Sequence, residues 1–141
     1  MTLQDSLGLA VTGAGADGLA HFEAAQSMLR CYVGDPVASI DRALAESPQM
    51  VMGHAMRAWL HLLATESPAI AVARQSLEAA RSLPANHRET GHLAAIEALI
   101  AGRWHAAGRI LEDVSVEHPH DALALQVGHQ LDFFTGNARM L

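Results

Sequence analysis

The chain has 141 residues, half of them apolar but only six aromatic, with a net charge of −6. That is about one domain's worth, able to bury roughly two thirds of its unfolded surface. Its nine basic residues are all arginine and face fifteen acids, so it lacks the basic field that a non-specific nucleic-acid binder needs.

Residues 1–16 contain three glycines and no helical period, which predicts an extended lead-in. Asp17 is placed to cap a helix running to about Val33, with Phe22, Met28, Leu29 and Tyr32 apolar, and Gly34 ends it. Asp35-Pro36 is a cap followed by proline at the first helical position, opening a short helix with Ile40, Ala43 and Leu44 on one side. Ser47-Pro48 repeats the signal before Val51, Ala55, Trp59, Leu62 and Leu63. Ser67-Pro68 repeats it again before Ile70, Ala73, Leu77 and Ala80. Asn86 and Glu89 have the spacing of a capping box ahead of Leu93, Ile96, Leu99 and Ile100. Gly102 closes that helix, and Trp104 to about Val116 forms the next. Asp121 caps a last helix through Phe134, ended by Gly136-Asn137. Twenty-seven alanines suit close-packed helices, few residues favour strands, and no strand is expected.

The elements recur. Pro48, Pro84 and Pro119 are 36 and 35 residues apart, and Gly102 and Gly136 are 34 apart. A helix–turn–helix period near 34 marks tetratricopeptide-type repeats. The predicted fold is therefore all-α: a right-handed superhelix of antiparallel helix pairs, a tetratricopeptide-like α-solenoid of about seven helices. The lead-in, 1–16, precedes one helical-repeat domain, 17–141, in approximate units 17–48, 49–84, 85–119 and a truncated 120–141. The given sequence stops four residues after the Gly136-Asn137 turn. Leu125, Leu131 and Phe134 are accordingly expected to lack a partner helix and to form an interface, most simply that of a two-fold dimer.

Several segments, in this order, resemble the tetratricopeptide repeat protein 38 family. They are Asp5 to Thr12, Val51-Met-Gly-His54-Ala-Met56, Arg88-Glu89 with His92, Gly102-Arg-Trp104, and His118-Pro-His-Asp121-Ala-Leu-Ala-Leu125 with His129. The resemblance spans essentially this whole chain and about the first third of a family member. It implies a helical-repeat fold and carries over no catalytic residue.

Nine histidines are the unusual component. Gly53-His54, Gly91-His92 and Gly128-His129 fall on successive first helices, which in such repeats line a concave groove. His54 and His61 share a helix face with Arg57 between them. His54, Arg57, His61, His92 and His129 are thus the candidate groove residues. Neutral imidazoles converging there would suit a metal or acid–base chemistry. The competing reading is glycine permitting close helix approach, with histidine hydrogen-bonding inside the fold. His118-Pro-His120-Asp121 straddles a turn in which Asp121 serves as a cap. Glu89 reads as a capping residue, and Glu112 and Asp113 as a solvated face. Gly13-Ala-Gly15 lacks the lysine and preceding strand of a phosphate loop. No metal and no cofactor is assigned.

Cys31 cannot form an internal disulfide and reads as a buried thiol in a reducing compartment. No apolar run approaches the ~20 residues of a membrane span. No Lys or Arg precedes Arg30, so the start does not read as a signal peptide. A cytoplasmic location follows, with no membrane and no nucleic-acid partner. Two functions compete. One is a scaffold holding a protein or peptide in its groove, associating with itself through the carboxy-terminal end. The alternative is an enzyme, or a small-ligand or metal-binding protein, using His54, His92 and His129.

Overall fold

The computed structural model describes residues 2–31, 33–64 and 67–135. Tyr32 and the Gly136-Asn137 turn of the sequence pattern lie outside them. The described residues form seven helices behind a small ribbon. The helices are α1 (Ala16–Cys31), α2 (Pro36–Glu46), α3 (Val51–Leu63), α4 (Ser67–Arg81), α5 (His87–Ile100), α6 (Trp104–Glu117) and α7 (Ala122–Thr135). Packing is strongest within consecutive pairs, α1 on α2, α3 on α4 and α5 on α6, with α7 laid against α6. This is the all-α architecture of stacked helix pairs that the period predicts. Among the described residues, no helix is long and apolar enough to cross a membrane.

Local chemistry sets most of the helix ends. Gly34 takes a φ of +72°, which few residues other than glycine adopt easily, and ends the first helix region. Asp35 then accepts from the Ala38 N–H at 3.1 Å, with Pro36 at the first helical position. Asn86 and Glu89 form a complete capping box at the start of α5. Asp121 accepts from the Ala124 N–H at 3.0 Å and so caps α7.

Ser47-Pro48 does not open α3, contrary to the sequence signal. The Ser47 N–H closes α2 on the Ala43 carbonyl, and the Ser47 hydroxyl accepts from the Gly15 N–H at 2.9 Å. The α3 helix starts at Val51, whose N–H donates to the Thr12 carbonyl at 3.2 Å. A carbonyl from the lead-in replaces a local cap, and this tertiary partner moves the boundary.

The lead-in also corrects the expectation of no strand. Leu3–Gln4 (β1) and Ala10–Val11 (β2) pair antiparallel, with Leu3 opposite Val11 and Gln4 opposite Ala10. Buried Asp5 organises the turn by accepting from the N–H groups of Leu7 and Leu9. Two residues per strand carry too little side-chain pattern to show in composition. The ribbon is held from outside instead, by α5. Buried Glu89 accepts from the Thr12 N–H at 2.9 Å, and Arg88 donates to the Ala10 carbonyl at 3.0 Å. Gly13 follows at a φ of +81°, where a Cβ atom would collide with the Gln49 carbonyl oxygen. The ribbon thus closes over the starts of α3 and α5, and the core runs on from Val11 through Trp59, Ile96 and Leu111 to Leu131.

Candidate functional site

The three glycine–histidine pairs do not converge on one groove. Helices α3, α5 and α7 begin at residues 51, 87 and 122, while the histidines stand at 54, 92 and 129. Each histidine therefore sits two residues further into its helix than the one before, a rotation of roughly 200°. His54 and His129 point outward, and His92 points the opposite way. His54 is half-buried and donates from Nε2 to the Pro48 carbonyl at 2.8 Å. His129 is exposed. His92, expected in the groove, has no exposed surface and lies in the core.

The glycines explain themselves through packing. A Cβ at Gly53 would lie 2.7 Å from Leu44 of α2, and one at Gly91 would lie 2.6 Å from Val114 of α6. At Gly128 the contact would be an ordinary 3.9 Å. Close helix approach accounts for two of the three pairs. Arg57, also expected to face a ligand, is tied down between helices. It reaches Asp41 of α2 at 3.2 Å and donates to the Ser76 hydroxyl of α4 at 3.1 Å. His61 is half-buried two turns beyond His54. Among the described residues, no group of three or more His, Cys, Asp or Glu is placed to hold a metal. A joint site of His54, His92 and His129 has no geometric basis.

His92 belongs to a buried polar chain instead. The Trp59 indole N–H donates to its Nδ1 at 3.1 Å, and its Nε2 lies 2.8 Å from Asp121 Oδ2. Arg88 donates to the same Asp121 oxygen at 3.1 Å. An indole nitrogen only donates, so Nδ1 must accept and the proton of the neutral ring sits on Nε2. Burial works against the Asp121 charge. The hydrogen bond from His92, the Ala124 N–H and the Arg88 guanidinium outweigh it, holding this carboxyl well below the usual range. All four side chains are sealed from solvent, so the chain joins α3, α5 and the start of α7 and offers nothing to a ligand.

The open site lies along α7. Leu131, expected at the interface, is only 1% exposed and packs into the core with Leu123, Ala124 and Val127. Leu125 and Phe134 are 49% and 46% exposed, as expected, and Phe133 is 71% exposed. Ala122, Leu125, Gln126, His129, Gln130 and Phe133 follow helical spacing along one outer face. With Arg30 of α1 opposite, they line a cleft of about 690 Å³. Gln126 fixes the two walls together by donating to the Leu29 carbonyl at 3.2 Å. Trp104 supports the far end, edge-on to Phe134 with ring centres 6.1 Å apart. The Gln130 side-chain carbonyl oxygen is buried with no partner among the described residues.

Among the described residues, no Asp or Glu lines this cleft and Arg30 forms no ion pair. Glu112 and Asp132 instead line a smaller cavity of about 110 Å³ on the α6 side of α7. The exposure of Leu125 and Phe134 was expected from the sequence, whereas His129 was expected in a groove shared with His54 and His92 and stands here instead. Phe133 could have been found from its four- and eight-residue spacing to His129 and Leu125. Arg30 could not, because only the fold brings the end of α1 to α7. Cys31, expected inside, is exposed at the last position of α1. No protein-family model matches the chain, and no solved structure matches it.

Proposed function

We propose that this chain is a helical-repeat binding scaffold that holds a protein or peptide segment along the open face of α7. One observation carries the reading: α7 is apolar on two faces. Leu123, Val127 and Leu131 face inward, while Leu125 and Phe133 line the open cleft. A helix apolar on one stripe is satisfied by one neighbour; a second stripe calls for a second partner. The helix-pair architecture agrees with this role, since stacked repeats present extended binding surfaces. The resemblance to the tetratricopeptide repeat protein 38 family supports the same architecture and adds no activity. An exposed free thiol at Cys31 suits a reducing, cytoplasmic setting.

The test is a panel of defined synthetic helical and extended peptides, titrated by fluorescence polarisation against the unmodified chain and a Leu125→Glu, Phe133→Glu variant. Binding that is lost in the variant supports the reading. Binding that the variant retains, or no binding by any peptide, overturns it. A second reading, self-association through the same face, rests on the exposure of Phe133 and Phe134. Sedimentation of the same two proteins across a concentration series separates it from the first.

A further inference from the structure

We infer that the occupant of the α7 cleft is an amphipathic helix of a partner protein, bearing carboxylates along the edge that meets Arg30. The inference rests on the binding role proposed above and names the chemistry of the partner.

The shape argues for a helix. From Ala122 to Phe133 the open stripe is roughly 17 Å long at the helical rise per residue, about three turns. It is formed by side chains spaced three and four apart, the ridge that a second helix packs against. An amphipathic helix laid in such a groove buries its own stripe against Leu125 and Phe133.

The charge argues for acid on one edge. The chain carries −6 overall, so its average surface repels a carboxylate. The cleft inverts that sign locally: among the described residues, its wall carries Arg30 and no acidic residue. Arg30, which forms no ion pair among the described residues, stands at the rim of an apolar groove and favours a carboxylate through charge-assisted hydrogen bonds. The other side of α7 has the opposite character, with Glu112 beyond the ridge. A partner helix with its acidic edge toward α1 meets Arg30, whereas one turned about its axis brings acid against acid. The arrangement therefore selects both the partner's charge and its orientation.

The experiment uses the full chain and two synthetic helical peptides sharing one Leu/Phe stripe, one flanked by Glu and the other by Lys. Fluorescence polarisation at low salt should show the Glu peptide binding at least tenfold more tightly. Arg30→Glu should reverse the order, and Arg30→Gln should shrink the difference. Arg30 is exposed, so these variants keep the fold, which circular dichroism verifies. Raising the salt should narrow the gap between the peptides by screening. Equal binding of both peptides, unmoved by Arg30→Glu, overturns the acidic partner and leaves the scaffold reading standing. Absence of binding by either peptide, together with no binding by any member of the wider panel, overturns the scaffold reading itself. A chain that sediments as a dimer, and as a monomer after Phe133→Glu, identifies a second copy as the occupant and overturns the heterologous helix.

Discussion

The indole N–H of Trp59 donates to Nδ1 of His92 at 3.1 Å, and this contact dictates which ring nitrogen carries the proton. A histidine expected to offer a lone pair to a ligand has that lone pair filled by a tryptophan of its own fold. Nitrogen NMR at neutral pH should show His92 as a single Nε2-protonated tautomer, unlike an exposed ring such as His129. Trp59→Phe keeps most of the packing but leaves the acceptor unpaired, at a cost of about 1–3 kcal/mol. A mixed tautomer in the unmodified chain would count against the assignment.

Asp121 should shape the acid limb of stability. Its carboxyl is held below the ordinary range in the folded chain, so between that level and the unfolded value of about 3.9 the unfolded state binds more protons. The stabilisation is complete above about pH 5 and is lost as pH falls through about 4 and below. Asp121→Asn removes the charge that balances buried Arg88, costing about 3–5 kcal/mol at neutral pH. Urea midpoints of the variant should then fall less steeply from pH 5 downward than those of the unmodified chain. Parallel acid limbs would show that another carboxyl governs this range.

Gly13 and Gly102 share a φ of +81° but differ in surroundings. An alanine at either position meets the same backbone penalty, about 1–2 kcal/mol. At Gly102 nothing lies within 4 Å of the added carbon, whereas at Gly13 it collides with the Gln49 backbone. Gly13→Ala should therefore lower the melting temperature well beyond Gly102→Ala. Equal shifts would mean that the ribbon is not seated tightly on α3.

The two faces of α7 should separate stability from binding. Leu131→Ala opens the packed side and should cost about 2–5 kcal/mol in chemical denaturation. Phe133→Glu changes an exposed position and should stay within about 0.5 kcal/mol of the parent while altering peptide binding or self-association. Substantial destabilisation by Phe133→Glu would place that ring in the core.

How much was legible follows from where the information resides. Asp35-Pro36, Asn86 with Glu89, and Asp121 mark helix starts because the bonds they make are local, within three residues. Ser47-Pro48 carries the same kind of local signal and misleads, because Val51 finds its acceptor at Thr12, far back in the chain. The histidines mislead for a subtler reason. A recurring residue type suggests a shared face, yet 38 and 37 residues between histidines are not the 36 and 35 between helix starts. The two-residue offset turns His92 inward. The cleft was half legible: α7 showed its apolar pattern, while Arg30 arrives through the packing of α1, to which no local rule points.

The clamp of Thr12 by Glu89 spans 77 positions, and it gives the molecule a history as well as a shape. At a synthesis rate of about 5–20 residues per second, roughly 4–15 s separate the appearance of the ribbon from that of its anchor. Through that interval the N–H of Thr12 and the carbonyl of Ala10 lack their α5 partners, whatever the first two helix pairs have already done. A stack of neighbours assembles in the order it is made, but this one is sealed backwards, its ribbon fastened by a helix made long after it. Premature termination before Asn86 would thus leave a nascent product whose opening segment has lost these contacts, a natural handle for quality control.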